Sequence, residues 1–264
     1  MEDIQNISWR QDKVWLIGGT SDSVTIAKLL NHAAINLVVT VATPDILLAY
    51  PDDVIVHVGR MSRQQMQDFC QSQNIKTVVD ASHPYAVAVS QEAIATTSQL
   101  NIPYLRYERV DYQSSARLIK SAQIIELDSF GTLLTGNYLQ NQRVLLTVGC
   151  QVLPLFQAWH DQATLFARVL PKIDSLQTAI ASGFSSDRLV AIRPPIDIEF
   201  EKALWRKWNI SLVVTKASGK AGGEEIKHQA AKDLNTPLIV IRRPQISYPQ
   251  QTSSLAEILI FCQQ

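Results

Sequence analysis

Asp80, Ser82, His83 and Tyr85 fall within one short run, VVDASHPYA at residues 78–86. A carboxylate, a hydroxyl, an imidazole and a phenol this close together form an unusual concentration of polar chemistry. The imidazole could pass a proton near neutral pH, because its unperturbed pKa is about 6.5. Val78 and Val79 read as the end of a strand, and Tyr85 opens a helix-like stretch through Val87, Val89, Ile94 and Ala95. In an open α/β sheet, ligands bind at the carboxyl ends of the strands. A plainer reading uses the same residues. Asp80 caps the helix, Pro84 sits in its first turn, and His83 is a structural hydrogen-bonding residue. On the residues alone the two readings weigh about equally.

Two glycine-containing runs carry chemistry of another kind. Gly18, Gly19, Thr20 and Ser21 follow a short apolar strand and precede an amphipathic helix. Glycine lets a backbone approach a phosphate, and the free N–H groups of a helix start favour an anion. The spacing is not GxGxxG, so a tight turn with Thr20 or Ser21 as N-cap reads equally well. Thr215, Lys216, Ser218 and Gly219, followed by Gly222 and Gly223, offer hydroxyls, one cation and backbone donors. The lysine precedes the glycines, so this is no Walker A loop. The alternative is a flexible surface loop, but Lys216 stands directly at a strand end, which favours a site.

Strands alternate with helices along the whole chain, which implies βαβ units and parallel sheets. In the first half, strands are expected at 14–17, 37–41, 54–58, 77–79 and 104–107. In the second, they are expected at 124–127, 143–148, 166–170, 189–192, 212–214 and 238–241. The polar and aromatic run 108–121 breaks the rhythm and reads as the crossing between two domains, 1–112 and 113–264. Tyr107, Arg109 and Tyr112 line a cleft there or serve as ordinary linker residues. The second strand ends VTVATP, with Thr40 and Thr43 and no carboxylate before Asp45. An NAD site would place an acid there for the ribose, so its absence favours NADPH over NADH. Thr40 and Arg60 are candidates on the cofactor side, Arg60 as a phosphate partner or else as a solvated surface residue.

The 264 residues carry 24 Lys+Arg against 24 Asp+Glu, and 46% are hydrophobic. That balance offers no electrostatic footprint for nucleic acid or an anionic membrane. Cys70, Cys150 and Cys262 lack the paired spacing of a zinc or redox motif and read as buried thiols of a reducing compartment. No apolar run approaches the ~20 residues of a membrane span, and the start has no secretory pattern. The expectation is a cytoplasmic protein, monomeric or weakly homo-oligomeric, with no metal.

Taken in order, these segments resemble the precorrin-6A and cobalt-precorrin-6A reductase family of cobalamin biosynthesis. The resemblance rests on LIGGTSDS, VVDASHPYA, IPYLRYER, RVLLTVG, FARVLP, LVVTKASGKAGGEEIKHQAA and PLIVIRRP. It implies two Rossmann-like domains with the active site in the cleft between them. It also implies NADPH as hydride donor and reduction of a polycarboxylate tetrapyrrole macrocycle. Gly18, Gly19, Thr20 and Ser21 would then hold the cofactor's phosphates. Asp80, Ser82, His83 and Tyr85 would stand at the cleft, and Thr215, Lys216, Ser218 and Gly219 would face it from the second domain. Three segments depart from the family pattern: ATPDILLAYP after the second strand, Arg193-Pro194-Pro195-Ile196, and Glu224 where a threonine is usual.

Within that reading the hydride chemistry belongs to the cofactor, and the protein supplies orientation. His83 is the candidate proton donor, with Tyr85 or the substrate's own acids as alternatives. Lys216 and Arg109 bind substrate carboxylates. The rival class is a non-catalytic NADP(H)-binding regulator, which fold alone would permit. The polar runs at 80–85 and 215–219 count against it, since a sensor needs only the nucleotide half. A sugar epimerase or dehydrogenase would need a Tyr-x-x-x-Lys pair, and Tyr85 has Val89 four positions on.

Overall fold

The computed structural model describes residues 12–109, 124–194, 196–219 and 222–264. The chain divides into two compact units, Met1–Arg109 with Gln245–Gln264, and Val110–Pro244. The boundary expected at 112/113, and Tyr112 with it, lies outside the described residues.

In the first unit, β1 (Lys13–Ile17), β2 (Leu37–Val41), β3 (Ile55–Val58), β4 (Ile75–Asp80) and β5 (Tyr104–Tyr107) alternate with α1 (Ser21–His32), α2 (Arg63–Ser72) and α3 (Val87–Leu100). All pair in parallel, in the spatial order β3-β2-β1-β4-β5. The chain thus reverses direction across the sheet between β1 and β4, the point where α/β sheets leave a crevice. Alternate residues of one strand serve opposite faces. Leu16, Val39 and Val79 meet Ile26, Ala27 and Leu30 of α1, whereas Trp15, Val38 and Val78 meet Met66 and Cys70 of α2 and Ala93 of α3. Burial on both faces is why these strands read as unbroken apolar runs.

The sheet is completed from the far end of the chain. β12 (Gln251–Thr252) adds to β5 in parallel: Arg106 N–H donates to Gln250 O at 2.9 Å and Glu108 N–H to Thr252 O at 2.8 Å. A final helix, Leu255–Cys262, follows and buries Ile258 in the same core as α1. From sequence, residues 245–264 belong with the second half. In the structure they belong to the first unit, because β5 would otherwise leave its backbone edge unpaired.

The second unit repeats the design. β6 (Ile124–Leu127), α4 (Phe130–Thr135), β7 (Arg143–Thr147), β8 (Thr164–Val169), α5 (Ile173–Ala181), β9 (Leu189–Ala191), α6 (Ile198–Lys207), β10 (Leu212–Lys216), α7 (Glu224–Leu234) and β11 (Leu238–Ile241) form a parallel sheet flanked by helices. The order is β9-β8-β7-β10-β11-β6. Its reversal lies between β7 and β10, where Thr147 pairs with Thr215. Trp205 is buried and Trp208 stacks on Phe166, so these tryptophans are core, as their spacing suggested. Among the described residues no helix is long and apolar enough to cross a membrane.

Candidate functional site: two strand-end loops

At the switch point of the first unit, Ile17 pairs with both Thr40 and Asp80, so the turns after β1 and β4 start side by side. Gly18 N–H donates to Thr40 O at 2.8 Å, and Ala81 N–H donates to Ile17 O at 2.9 Å. A methyl group on Gly18 would collide with the Tyr50 hydroxyl, so this approach requires glycine. Gly19 has φ +100°, with open space where a side chain would be. Thr20 caps α1, its Oγ1 accepting from Ser23 N–H at 3.1 Å while donating to Ala81 O at 2.9 Å. Ser21 is exposed at the first helical position. Asp22, in the same turn, pairs with Arg109 at 2.7 Å. The guanidinium offsets an acid that would otherwise oppose an anion at this helix start.

The turn after β4 is held by a saturated buried carboxylate. Asp80 is 0% exposed. Oδ1 accepts from Ser82 N–H and from Arg106 Nη1, each at 2.9 Å, and Oδ2 accepts from Ser90 Oγ and Tyr104 Oη, each at 2.6 Å. Burial and the adjoining Asp80 carboxylate push the Tyr104 phenol far above its ordinary range, so it stays a donor. Arg106 Nη1 also donates to Ser82 Oγ at 3.0 Å, and Glu108 takes its Nε and Nη2. The Asp80 carboxylate and the Ser82 amide, with the Ser82 hydroxyl as an acceptor, are engaged in building the turn. His83 is exposed and Tyr85 half-buried. Tyr85 N–H donates to His83 Nδ1 at 3.2 Å, and the two rings lie 5.8 Å apart. With Nδ1 accepting, the neutral ring carries its proton on Nε2.

Thr40 and Arg60 are the two other first-unit residues expected on the cofactor side. Thr40 is buried, its Oγ1 accepting from Trp15 Nε1 at 2.9 Å. An indole N–H inside a core needs such a partner, and the Thr40 hydroxyl oxygen supplies it. Arg60 is exposed just beyond the carboxyl end of β3, on the strand-end edge where the ribose of a nucleotide bound at α1 would lie.

In the second unit Thr215 is buried and Lys216 half-buried at the end of β10. The ammonium lies 5.8 Å over the Phe130 ring, and burial draws its pKa down to about 8. Gly219 N–H donates to Glu224 Oε2 at 2.7 Å. The Gly219 amide is thus engaged within its own loop. Ser218 is half-buried beside it, and a methyl on Gly222 would collide with its Oγ.

Sequence reading missed the braces: Tyr50, Tyr104, Arg106 and Glu224. Each acts on a partner that pattern cannot pair with it, Tyr50 on Gly19 from 31 residues away and Arg106 on Asp80 from 26. Only Glu224 left a trace, as an acid where the family pattern has a threonine. The first unit fits a nicotinamide dinucleotide. It has the strand-order reversal between β1 and β4, a glycine turn with open space where a Gly19 side chain would be, and the start of a capped α-helix.

The family described as precorrin-6x reductase CbiJ/CobK matches residues 13–263. A cobalt-precorrin-6A reductase of Synechocystis sp. is 43% identical over 255 residues, 95% of each chain. One from Priestia megaterium is 31% identical, covering 93% of this chain and 96% of its own. The solved structure titled CobK precorrin-6A reductase superposes with a TM-score of 0.78 at 22% identity, covering 94% of this chain and 95% of that one.

Proposed function

The chain belongs to the precorrin-6x reductase family, NAD(P)H-dependent oxidoreductases of cobalamin biosynthesis, and on that premise we propose that it reduces precorrin-6A or its cobalt form to the precorrin-6B level with NADPH. The observation that carries this reading is the junction of two turns at one switch point, closed by the bond from Thr20 to Ala81. Gly18, Gly19, Thr20 and Ser21 would hold the nucleotide's phosphates, with the amides of the first turn of α1 as donors. Arg60 would take the 2′-phosphate. When bound, the nicotinamide supplies the hydride, and the protein's task is to orient it and to deliver a proton.

His83 would act as the proton donor in its imidazolium form, which requires Tyr85 N–H to release Nδ1; Nε2 would then give its proton to the macrocycle and leave the ring neutral. The Tyr85 phenol is the alternative donor. Asp80, with Arg106, Ser90 and Tyr104, positions this turn without touching substrate. Lys216 would bind a side-chain carboxylate of the macrocycle, and Arg109 another once released from Asp22. Thr215 and Ser218 shape the loop that presents Lys216. On this reading the protein works in the cytoplasm as a monomer or weak homo-oligomer.

The test is anaerobic mixing of the protein with NADPH and precorrin-6A or its cobalt form, following macrocycle and nicotinamide absorbance together. Coupled loss of NADPH and conversion of the macrocycle is the expected result, with NADH much poorer. Binding of NADPH without consumption of either macrocycle would sink the proposal and favour a nucleotide-sensing role.

A further inference from the structure

Five strands of the second unit repeat the order of the first, yet the segment leaving β10 at its switch point is closed to an anion. After β7 the chain passes Gly149 into 3-10 turns at Cys150–Trp159, with Pro154 inside. No α-helix begins there, so that segment differs in kind from the start of α1. After β10 an α-helix does begin, and its own first residue occupies the position a ligand would take. Glu224 is 0% exposed, and its Oε2 accepts Gly219 N–H at 2.7 Å. Its other oxygen has no hydrogen-bond partner among the described residues and lies 3.7 Å from His228 Nε2. Lys227, 2% exposed, donates from Nζ to Gly222 O at 2.6 Å. The first turn of α7 therefore grips the loop by an amide at one end and a carbonyl at the other. A carboxylate accepting a backbone N–H is a strong, charge-assisted bond, of the kind a bound phosphate or carboxylate would make.

We propose that Glu224 is a specificity-determining residue, a built-in anion that closes the Gly219 amide to phosphates and free carboxylates and leaves ligand carboxylates to the Lys216 side chain. The inference rests on reading this loop as part of the substrate side.

The test is an amide NMR titration of the full 15N-labelled protein with inorganic phosphate, following the Gly219 resonance. In the wild type that resonance should show no saturable shift. In Glu224→Thr, which removes the carboxylate, phosphate should shift it saturably. Glu224→Gln keeps an oxygen acceptor without the charge, so its Gly219 resonance should move upfield and stay insensitive to phosphate. A saturable shift in the wild type, or a folded Glu224→Thr protein whose Gly219 ignores phosphate, overturns the proposal. Should Glu224→Thr fail to fold, an unchanged Gly219 resonance in Glu224→Gln overturns it equally. The titration reads the loop and not turnover, so its failure would leave the reductase assignment standing, and loss of that assignment would show in the absorbance experiment instead.

Discussion

Thr20 Oγ1 donates to the Ala81 carbonyl oxygen across 2.9 Å, although 61 residues separate them. The same oxygen caps α1 by accepting Ser23 N–H. One hydroxyl thus starts the helix expected to face the phosphates and ties it to the turn that carries His83. Thr20→Val keeps the shape and loses both bonds. We expect it to lower stability by about 1–3 kcal/mol, from a lost cap and a buried carbonyl left without its donor. It should also raise the KM for NADPH. Thr20→Ser should behave as wild type in thermal unfolding and in KM.

Tyr50 braces the glycine turn from the connection between β2 and β3. Its hydroxyl accepts Gly19 N–H at 3.1 Å and lies 2.7 Å from Ser23 Oγ. Gly18→Ala would push a methyl into that hydroxyl, and Tyr50→Phe would remove it. Each single change should raise the KM for NADPH more than it lowers kcat. The double variant should be less impaired than the sum of the two, because the obstructing oxygen is gone. Strict additivity in a double-mutant cycle would count against the contact.

The Asp80 network separates positioning from chemistry. Arg106→Leu leaves a buried carboxylate without its cation and should cost about 3–5 kcal/mol, enough to compromise folding. Tyr104→Phe removes one of the four bonds to Asp80 and should cost about 1–3 kcal/mol. The folded Tyr104→Phe protein should lose kcat with little change in the KM for NADPH. His83→Ala should lose kcat with no loss of stability, and full turnover in that variant would exclude His83 as the donor.

Lys216 sets a pH dependence. Burial draws its pKa from 10.5 to about 8, so the ammonium is present below that pH and neutral above it. A carboxylate-binding ammonium would therefore fail as pH rises through about 8. The KM for the macrocycle should climb there in the wild type. In Lys216→Arg, whose guanidinium stays charged, the rise should disappear.

Lys227 gives a second, thermodynamic pH effect. Burial draws its pKa from 10.5 to about 7. Between those values the unfolded chain binds a proton that the folded chain does not, so this group's contribution to stability rises with pH across that window. Where the two states differ by a full proton, the slope is about 1.4 kcal/mol per pH unit. The stability difference between wild type and Lys227→Met, from denaturant unfolding at several pH values, should grow in favour of the wild type from pH 7 upward. A difference independent of pH would refute the assignment.

Much of the fold was legible because a strand buried on both faces is an unbroken apolar run, as at Leu37–Val41 and Arg143–Thr147. The candidate turns were legible as polar residues placed directly after such runs. β12 was not, since Gln251 and Thr252 carry no apolar pattern and form a strand only because β5 offers them an edge. The roles of Thr40 and Asp80 were not legible either. Trp15 Nε1 and Arg106 Nη1 decide them, and neither is a neighbour in sequence.

The sequence by itself determined the alternation of strands and helices, and hence that Gly18, Asp80 and Lys216 would stand at strand ends. Those are local properties of apolar runs and turn residues. The tertiary structure decided which of the polar groups at those ends are already spent. Asp80 holds a turn, Thr40 receives an indole, and Glu224 fills the Gly219 amide. The reason is that a buried polar atom must find a partner, and packing, not sequence distance, chooses which one.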